Sequence, residues 1–314
     1  MSEVKTIATR ESYGNTLAEL GAENPNIVVL DADLAGSTKT AVFGKAFPER
    51  HINCGIAEGN MMSVAAGLAT CGKTVFASSF AMFAAGRAFE QVRNSICYPK
   101  INVKIGATHA GISVGEDGAT HQCLEDIGIM RTIPNMVIIN PADGNEAIMA
   151  VKAAIEYEGP VYLRFGRLAV PVIFDENYKF EIGKGVMLED GSDVTLVATG
   201  LMVPEALKAR EELLKEGISA RVINIATIKP LDVEIIVKAA KETGAIVTCE
   251  EHNIIGGLGS AVAEALAENA PVPVKRVGTK DVFGKSGVPA KLLEEYGLDV
   301  KTIVEKAKEA INMK

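Results

Sequence analysis

Short apolar runs alternate with longer amphipathic segments along the first half of the chain. Five of these runs are rich in β-branched residues and are bounded by turn-forming residues, which is typical of buried strands. The predicted strands are residues 26–32, 73–79, 102–107, 136–141 and 161–165. The segments between them carry apolar residues at helical spacing, and Asp143 is placed to cap a helix that begins near Asn145. The alternation predicts a mostly parallel sheet with helices on both faces.

The second half of the chain repeats the pattern after a stretch, residues 170–192, in which the periodicity is weak. Further strands are predicted at residues 193–199, 219–225, 245–251 and 273–277. Helical segments separate them, which indicates a second, smaller α/β domain. We therefore predict two domains, residues 1–180 and residues 181–314, joined by an ordered connector.

Composition and charge narrow the class of protein. The 314 residues are 48% hydrophobic and 23% charged, which suits a globular protein with a large core. The net charge of −8 argues against a nucleic-acid surface. No apolar run approaches the roughly 20 residues of a membrane helix, and the first residues lack a secretory signal. None of the five cysteines forms a CxxC pair, so a zinc site is disfavoured and a cytoplasmic location is expected.

A glycine-rich loop with several titratable residues follows the strand at 102–107. Residues 106–122 read GATHAGISVGEDGATHQ and contain two of the four histidines, His109 and His121, together with Glu116 and Asp117. Ligands bind beyond the carboxyl ends of parallel strands, and long ordered loops are commonly functional. We interpret this loop as an acid–base and hydroxyl-binding cluster that enters a helix near Gln122. A simple capped turn and a metal site are the alternatives.

Glu58 stands at the start of a strongly apolar predicted helix. A carboxylate in a first turn is favoured by the helix dipole by about 0.3–1 kcal/mol, which is the simple explanation. However, the residues that follow, MMSVAAGLA (61–69), are apolar on nearly every side of the helix. We therefore expect the carboxyl to be buried, where it could share a proton with a basic ring nitrogen.

Aromatic and basic residues provide further candidates at the strand ends. The spacing of Phe80 and Phe83 alone favours a core role over contact with a cofactor. Arg164 interrupts an apolar strand, where an unpaired charge is costly, and guanidinium groups bind phosphate in a bidentate way. The sequence contains neither GxxxxGK[ST] nor GxGxxG, so neither standard nucleotide-binding loop is predicted.

Taken together, these motifs resemble those of the transketolases over essentially the whole chain. Resemblance to the pyrimidine-binding domain is carried by GIAEGNM, SSFAMF, THAGISVGEDGATHQ and GPVYLRFGR. Resemblance to the C-terminal domain is carried by ATGLMVPEAL, IKPLD and EEHNIIGGLGS. Full-length members hold the cofactor diphosphate and a divalent metal with a Gly-Asp-Gly triplet, which does not occur in this sequence. The resemblance therefore implies the C-terminal half of a split, two-subunit transketolase.

The resemblance also implies a cofactor and partners. It implies the thiamin diphosphate-binding fold and thiamin diphosphate, with Mg²⁺ or Ca²⁺ held mainly by an N-terminal partner subunit. The two subunits would form a heterotetramer, and this chain alone would form an inactive homodimer. By the same resemblance Glu58 would hydrogen-bond the aminopyrimidine ring, Phe80 and Phe83 would pack on it, and Asp33 would lie nearby.

Substrate contacts follow from the same resemblance. The implied reaction is transfer of a ketol unit from a ketose phosphate to an aldose phosphate, as in the pentose phosphate pathway. Asp117 and His121 would bind sugar hydroxyls, and His121 would also assist proton transfer. The sugar phosphate would be held by Arg10, Ser37, His109 and Arg164.

Three other functions remain alternatives. Deoxyxylulose phosphate synthases share the GxDGxTHQ motif, but they typically carry Arg where this chain has His109, and they are single chains. The beta subunits of 2-oxoacid dehydrogenases bind the same cofactor, but their substrates lack the hydroxyls that suit Asp117 and His121. A non-catalytic assembly subunit would have no need of a buried Glu58.

Overall fold

The computed structural model describes residues 5–314, and it contains two large sheets that are covered by helices and a small sheet formed by the first and eighth strands. The strands are β1 Thr6–Ala8, β2 Ile27–Asp31, β3 His51–Asn53, β4 Thr74–Phe80, β5 Val103–Thr108, β6 Val137–Ile139, β7 Val161–Arg164, β8 Ala169–Pro171, β9 Val186–Glu189, β10 Val194–Ala198, β11 Ala220–Asn224, β12 Thr227–Lys229, β13 Ile246–Asn253 and β14 Val274–Thr279. The helices are α1 Thr9–Glu23, α2 Ala35–Thr38, α3 Ala41–Ala46, α4 Glu58–Thr70, α5 Phe89–Gln91, α6 Asp126–Arg131, α7 Gly144–Glu156, α8 Met202–Lys215, α9 Val233–Thr243, α10 Leu258–Asn269, α11 Pro289–Glu295 and α12 Val300–Ile311.

The first sheet has seven strands in the order β12-β6-β7-β5-β4-β2-β3. Its strands run parallel except for β12, which is antiparallel to β6. All five strands predicted in this half are present, and the predicted mostly parallel sheet is confirmed. The pairings Phe80 with Thr108 and Ala107 with Arg164 bring the carboxyl ends of β4, β5 and β7 to one edge. The loops after these strands therefore meet above that edge.

Helices cover both faces of the first sheet, as predicted. One face packs against α1, α3 and α7. The other packs against α4, α6 and the segment from Met82 to Cys97. This segment contains two π-helical turns, Met82–Arg87 and Val92–Cys97, where the sequence predicts ordinary helix. At the start of α7, Asp143 Oδ1 accepts a hydrogen bond from the Glu146 amide at 2.7 Å, so the predicted cap is confirmed.

The second sheet has five strands in the order β14-β13-β10-β11-β9, and it is parallel except for β9. Helices α8 and α12 pack on one face, while α9 and α10 pack on the other. The predicted architecture of two α/β domains is therefore confirmed. Strands β8 and β9 occupy parts of the stretch that was predicted to be only a connector.

The chain crosses between the two domains more than once. Phe180 and Ile182 still pack on the core of the first domain, and the chain enters the second sheet at Val186. Strand β12 then returns to the first sheet, where Thr227 pairs with Ile139. Among residues 5–314, no helix is long and apolar enough to cross a bilayer.

Candidate active site

Glu58 is the first residue of α4, and it is only 1% exposed. Its carboxylate accepts hydrogen bonds from Ser79 Oγ at 3.2 Å and from Arg87 Nη1 at 2.7 Å. Ser79 lies near the end of β4, so α4 and β4 together hold the carboxylate at the carboxyl edge of the sheet. The predicted burial is confirmed. The ion pair opens on one side, because 48% of the Arg87 side chain is exposed.

Two phenylalanines and two histidines form an aromatic cluster beside this ion pair. The rings of Phe80 and Phe83 are nearly parallel, with centroids 6.0 Å apart. His109 stacks on Phe80 at 3.9 Å, and His121 meets Phe83 edge-on at 5.4 Å. Ring contacts therefore link four residues that were predicted from the sequence to act in one site.

Arg87 connects the buried carboxylate to the aromatic cluster. While Nη1 bonds Glu58, the guanidinium carbon lies 4.5 Å from the centre of the Phe83 ring. A planar cation with an N–H donor thus stacks on an aromatic face and pairs with a buried acid. A flat heterocycle with a protonated ring nitrogen can make the same two contacts, so the site fits such a group. Sequence reasoning missed Arg87, although the spacing of Phe83 and Arg87 is a usable signal, since residues four apart are neighbours on a helix.

His109 is held in its neutral form by its surroundings. Burial and the positive charges of Arg10 and Arg167 lower the pKa of His109 to about 3. Arg10 Nη1 lies 3.4 Å from Nε2, and Thr108 Oγ1 lies 2.9 Å from Nδ1. Because an arginine can only donate, Nε2 is the acceptor and the proton lies on Nδ1, which donates to Thr108.

Basic side chains surround His109. Arg10 Nη1 donates to the Ser37 carbonyl at 2.8 Å, so these two predicted residues are in contact. Arg167 follows β7 and donates to Glu116 Oε2 at 2.6 Å, with 35% of its side chain exposed. Partly exposed guanidinium groups beside a neutral imidazole form a suitable site for a phosphate group.

Arg164 does not belong to this basic group, which corrects its predicted role. Its side chain is 3% exposed, and it donates to both oxygens of Asp126, at 2.8 and 3.2 Å. It also donates to the Glu251 carbonyl at 3.0 Å. Burial opposes the charge on Arg164, but Asp126 outweighs burial and raises the pKa of the guanidinium. The donors of Arg164 are thus engaged by protein groups, whereas 35% of the Arg167 side chain is exposed.

The two remaining predicted carboxylates are exposed. Asp33 follows β2 in a left-handed conformation, with φ of 63°. Its amide donates to Asp31 Oδ1 at 2.8 Å, and its own Oδ1 accepts from Asn53 Nδ2 at 3.3 Å. Asp117 ends the short 3-10 helix at Ile112–Asp117 in the glycine-rich loop.

The glycine-rich loop takes a longer path than the sequence predicts. The expected helix near Gln122 is absent, because the amides of His121 and Gln122 both donate to the Gly118 carbonyl and close a turn. Helix α6 begins only at Asp126. The loop therefore stays beside the aromatic cluster for several more residues.

A cavity of about 660 Å³ adjoins the cluster and is lined by both domains. Its lining includes Phe83, Arg87 and Thr120 from the first domain and Asn253, Asp281 and Phe283 from the second. Within residues 5–314, no three His, Cys, Asp or Glu side chains gather in a way that could hold a metal ion.

Comparison with protein families matches both domains. The model of the transketolase pyrimidine-binding domain matches residues 5–172. The model of the transketolase C-terminal domain matches residues 183–303.

Individual proteins give the same result over nearly full length. The chain is similar to a solved structure described as a split gene transketolase, inactive β4 tetramer, with 57% identity, a TM-score of 0.92, and coverage of 98% of this chain and 99% of that chain. It is 44% identical to the 6-deoxy-6-sulfo-D-fructose transketolase subunit of Clostridium sp., over 97% of this chain and 95% of that protein. It is 42% identical to an apulose-4-phosphate transketolase subunit of Phocaeicola vulgatus, over 97% of this chain and 98% of that protein.

Proposed function

Because this chain belongs to the transketolase family, we propose that it acts as the C-terminal subunit of a two-subunit transketolase that uses thiamin diphosphate. The proposed reaction transfers a ketol unit from a ketose phosphate to an aldose phosphate. The observation that carries the proposal is the buried carboxylate of Glu58 beside the stacked rings of Phe80 and Phe83.

The chain's own residues would hold the pyrimidine ring of the cofactor. When bound, thiamin diphosphate supplies a carbon nucleophile that adds to the donor carbonyl. Glu58 would share a proton with a pyrimidine nitrogen, and Phe80 and Phe83 would pack on the ring. Arg87 would have to leave Glu58 first, because its guanidinium now bonds Glu58 Oε2 and lies over the Phe83 ring. Its exposed side gives it room to do so.

The sugar phosphate would bind at the basic end of the same cluster. Arg10, Ser37 and His109 keep the roles expected for them, and we assign the last phosphate contact to Arg167 in place of Arg164. A neutral His109 can accept a hydrogen bond while the arginines supply the charge. Asp117 and His121 would bind sugar hydroxyls, and His121 would assist proton transfer.

The similar proteins support the class of reaction more strongly than they support any particular donor or acceptor sugar. The pentose phosphate pathway supplies suitable sugars, whereas two relatives are named for sulfofructose and apulose phosphate. Both names describe transketolase subunits, which favours ketol transfer over the deoxyxylulose phosphate synthase, 2-oxoacid dehydrogenase and assembly alternatives. An assay of the reconstituted pair can compare KM for phosphorylated donors with KM for their unphosphorylated forms. This comparison tests whether Arg10 and Arg167 bind a phosphate group.

An N-terminal partner subunit completes the proposal. This partner would hold the diphosphate and the Mg²⁺ or Ca²⁺ ion, and the pair would form a cytoplasmic heterotetramer. The chain alone would be inactive. We expect a homodimer for it, whereas the 57% identical relative is described as an inactive β4 tetramer. Light scattering of the purified chain distinguishes these two states.

Substitution of the buried acid tests the function directly. In the co-purified pair, Glu58→Gln should lower turnover by about a thousandfold or more, because amide and carboxyl groups differ in proton sharing. Glu90→Gln is the matched control, since Glu90 is exposed and bonds only Gln91 and Asn94. A coupled assay of ketol transfer measures both variants, with circular dichroism as the check on folding. Retained turnover in Glu58→Gln would reject the role of Glu58.

A further inference from the structure

The glycines of the glycine-rich loop face the second domain. Three of them have left-handed backbones, with φ of 88° at Gly111, 83° at Gly115 and 76° at Gly118. A Cβ atom at these positions would lie 2.2 Å from Glu251 Cδ, 2.8 Å from Pro289 Cγ and 2.5 Å from Ser286 Oγ, respectively. The glycines are therefore needed because the second domain approaches the loop backbone closely.

Glu251 makes the most specific of these approaches. It lies on β13, is 3% exposed, and its Oε1 accepts a hydrogen bond from the Ser113 amide at 2.6 Å. Ser113 lies in the first turn of the 3-10 helix, whose amides have no partner within the helix. A carboxylate of the second domain thus caps a turn of the first domain.

Burial of the Glu251 carboxyl costs desolvation free energy, so filling space in the core does not account for an acid at this position. Burial raises the pKa of the Glu251 carboxyl, and the nearby Arg164 only partly opposes this effect. Arg164 donates to the Glu251 carbonyl and to Asp126 of α6, so β7, β13 and α6 are joined at one point. An apolar side chain could fill the same space without the desolvation penalty. The carboxylate therefore fixes a particular backbone arrangement.

The far end of the loop is tied to the second domain as well. Gln122 Nε2 donates to the carbonyls of Ile112, Gly115 and Lys285, at 3.1, 3.3 and 3.0 Å. The first two carbonyls belong to the loop, and the third belongs to the second domain. His109 lies just before the segment that Glu251 holds, and His121 lies just before Gln122. Both histidines are therefore next to a point where the second domain fixes the loop.

We propose that Glu251 is a positioning residue, through which the second domain sets the bend at residues 111–113 and so the placement of His109 and His121. Its catalytic consequence rests on the proposed function, whereas its structural consequence does not. The second domain is then part of the substrate site, although it supplies none of the sugar-binding side chains assigned above.

Hydrogen–deuterium exchange of the full chain tests the structural part. Glu251→Ala removes the acceptor of the Ser113 amide, and exchange of the loop peptide 109–122 should rise by about tenfold. Glu251→Gln keeps an acceptor oxygen and should restore most of the protection. Glu250→Ala is the matched control, because the adjacent, equally buried Glu250 caps α10 through Leu258 and Gly259. It should loosen residues 257–262 and leave the loop unchanged.

Kinetics of the pair reconstituted with the N-terminal subunit test the catalytic part. Glu251→Ala should raise KM for the ketose phosphate by about tenfold, while the dissociation constant of thiamin diphosphate changes by less than about twofold. Glu250→Ala should leave KM unchanged at a comparable loss of thermal stability. Unchanged loop exchange in Glu251→Ala, or an equal rise of KM in both variants, overturns the proposal.

The Gly111→Ala variant provides a second route if Glu251→Ala folds poorly, and a double-mutant cycle of the two variants tests the contact itself. Gly111→Ala places a methyl group against the same carboxylate, so it should also raise loop exchange. If the two residues act on each other, the double variant should lose less protection than the sum of the single variants. Simple additivity contradicts the proposed contact. If the unmodified pair neither binds thiamin diphosphate nor transfers ketol units, the proposed function fails, and exchange alone decides whether Glu251 holds the loop.

Discussion

Glu58–Arg87 and Asp126–Arg164 are two buried acid–arginine pairs with similar contacts and different surroundings. Their shortest contacts are 2.7 and 2.8 Å, and both carboxylates are at most 1% exposed. The arginines differ, since 48% of the Arg87 side chain is exposed but only 3% of the Arg164 side chain. Asp126 also accepts a hydrogen bond from Tyr162 at 2.9 Å, which closes its surroundings further.

The difference shows which property of a buried ion pair indicates function. Burial of the acid is common to both pairs, so burial alone does not distinguish a site from a structural link. Only at Glu58 can the cation move into solvent and leave the carboxylate to another partner. A buried acid is therefore informative when its counter-ion is free to leave.

Removal of the closed arginine should have the largest effect on stability. Arg164→Leu leaves Asp126 buried without its cation, and we expect a loss of about 3–5 kcal/mol in the free energy of unfolding. Urea denaturation of the chain measures it. Arg167→Leu is the matched control, because Arg167 is partly exposed and pairs with the exposed Glu116. It should cost less than about 1 kcal/mol.

The same two variants separate the roles of the arginines in the reconstituted pair. Arg167→Leu should raise KM for a phosphorylated donor but not for its unphosphorylated form. Arg164→Leu should leave this ratio unchanged in the protein that remains folded. If Arg164→Leu and not Arg167→Leu raised KM for the phosphorylated donor alone, Arg164 would be the residue that contacts the phosphate.

A third buried acid, Glu146, extends the comparison to a carboxyl without a cation. It is fully buried, and it bonds the Ala142 amide, the Tyr178 hydroxyl and the Asn224 amide group. Burial raises the pKa of Glu146 from 4.5 to about 7. Between these values the folded chain holds a proton that the unfolded chain releases, so the stability that Glu146 contributes is fully present below about pH 4.5 and is lost as pH rises through about 7.

The expected loss from Glu146 between about pH 4.5 and 7 is at most about 3 kcal/mol. Urea titrations of the wild type and of Glu146→Gln at several pH values measure it. The glutamine variant should lack this part of the pH dependence. Identical pH profiles in the two proteins would show that Glu146 is charged in the fold.

Removal of the open arginine should have the smallest effect. Arg87→Gln should cost about 1–2 kcal/mol of stability, less than Arg164→Leu, because the buried Glu58 carboxylate keeps its hydrogen bond from Ser79 and the glutamine amide can still donate to it. Binding of thiamin diphosphate to the pair should be unchanged or tighter, since Arg87 holds Glu58 and the Phe83 face. Calorimetry measures the affinity, and Arg93→Gln is the control, since Arg93 is exposed and bonds the neighbouring Asn94. Markedly weaker binding in Arg87→Gln alone would show that Arg87 contacts the cofactor.

The sequence predicted the elements that are buried on both sides. Strands β4, β5 and β10, for example, appear within one residue of their predicted limits, because continuous apolar runs mark central parallel strands. It missed β3, β9 and β12, which are short and lie at sheet edges. Such strands are defined by their partners more than by their own composition.

The sequence named candidate residues for the site, but it did not predict which side chains contact one another. The rings of Phe80, Phe83, His109 and His121 form one cluster, and Arg87 links Glu58 to it, whereas the roles of these residues stay predictions. The sequence placed a charge in the apolar strand β7 at Arg164, but it could not show that Asp126 pairs with it. Long-range pairs such as Glu251 with Ser113 depend on how two domains dock, and local pattern carries no information about docking.

Strand β12 has a consequence for any attempt to separate the two domains. It pairs with the edge of β6, although in the sequence it follows three strands of the second sheet, β9, β10 and β11. A fragment ending at residue 180 would expose the unpaired amides and carbonyls of β6, which invites aggregation. Folding of the first domain is thus completed by a segment encoded some ninety residues after β6, so truncation is a poor way to study either half.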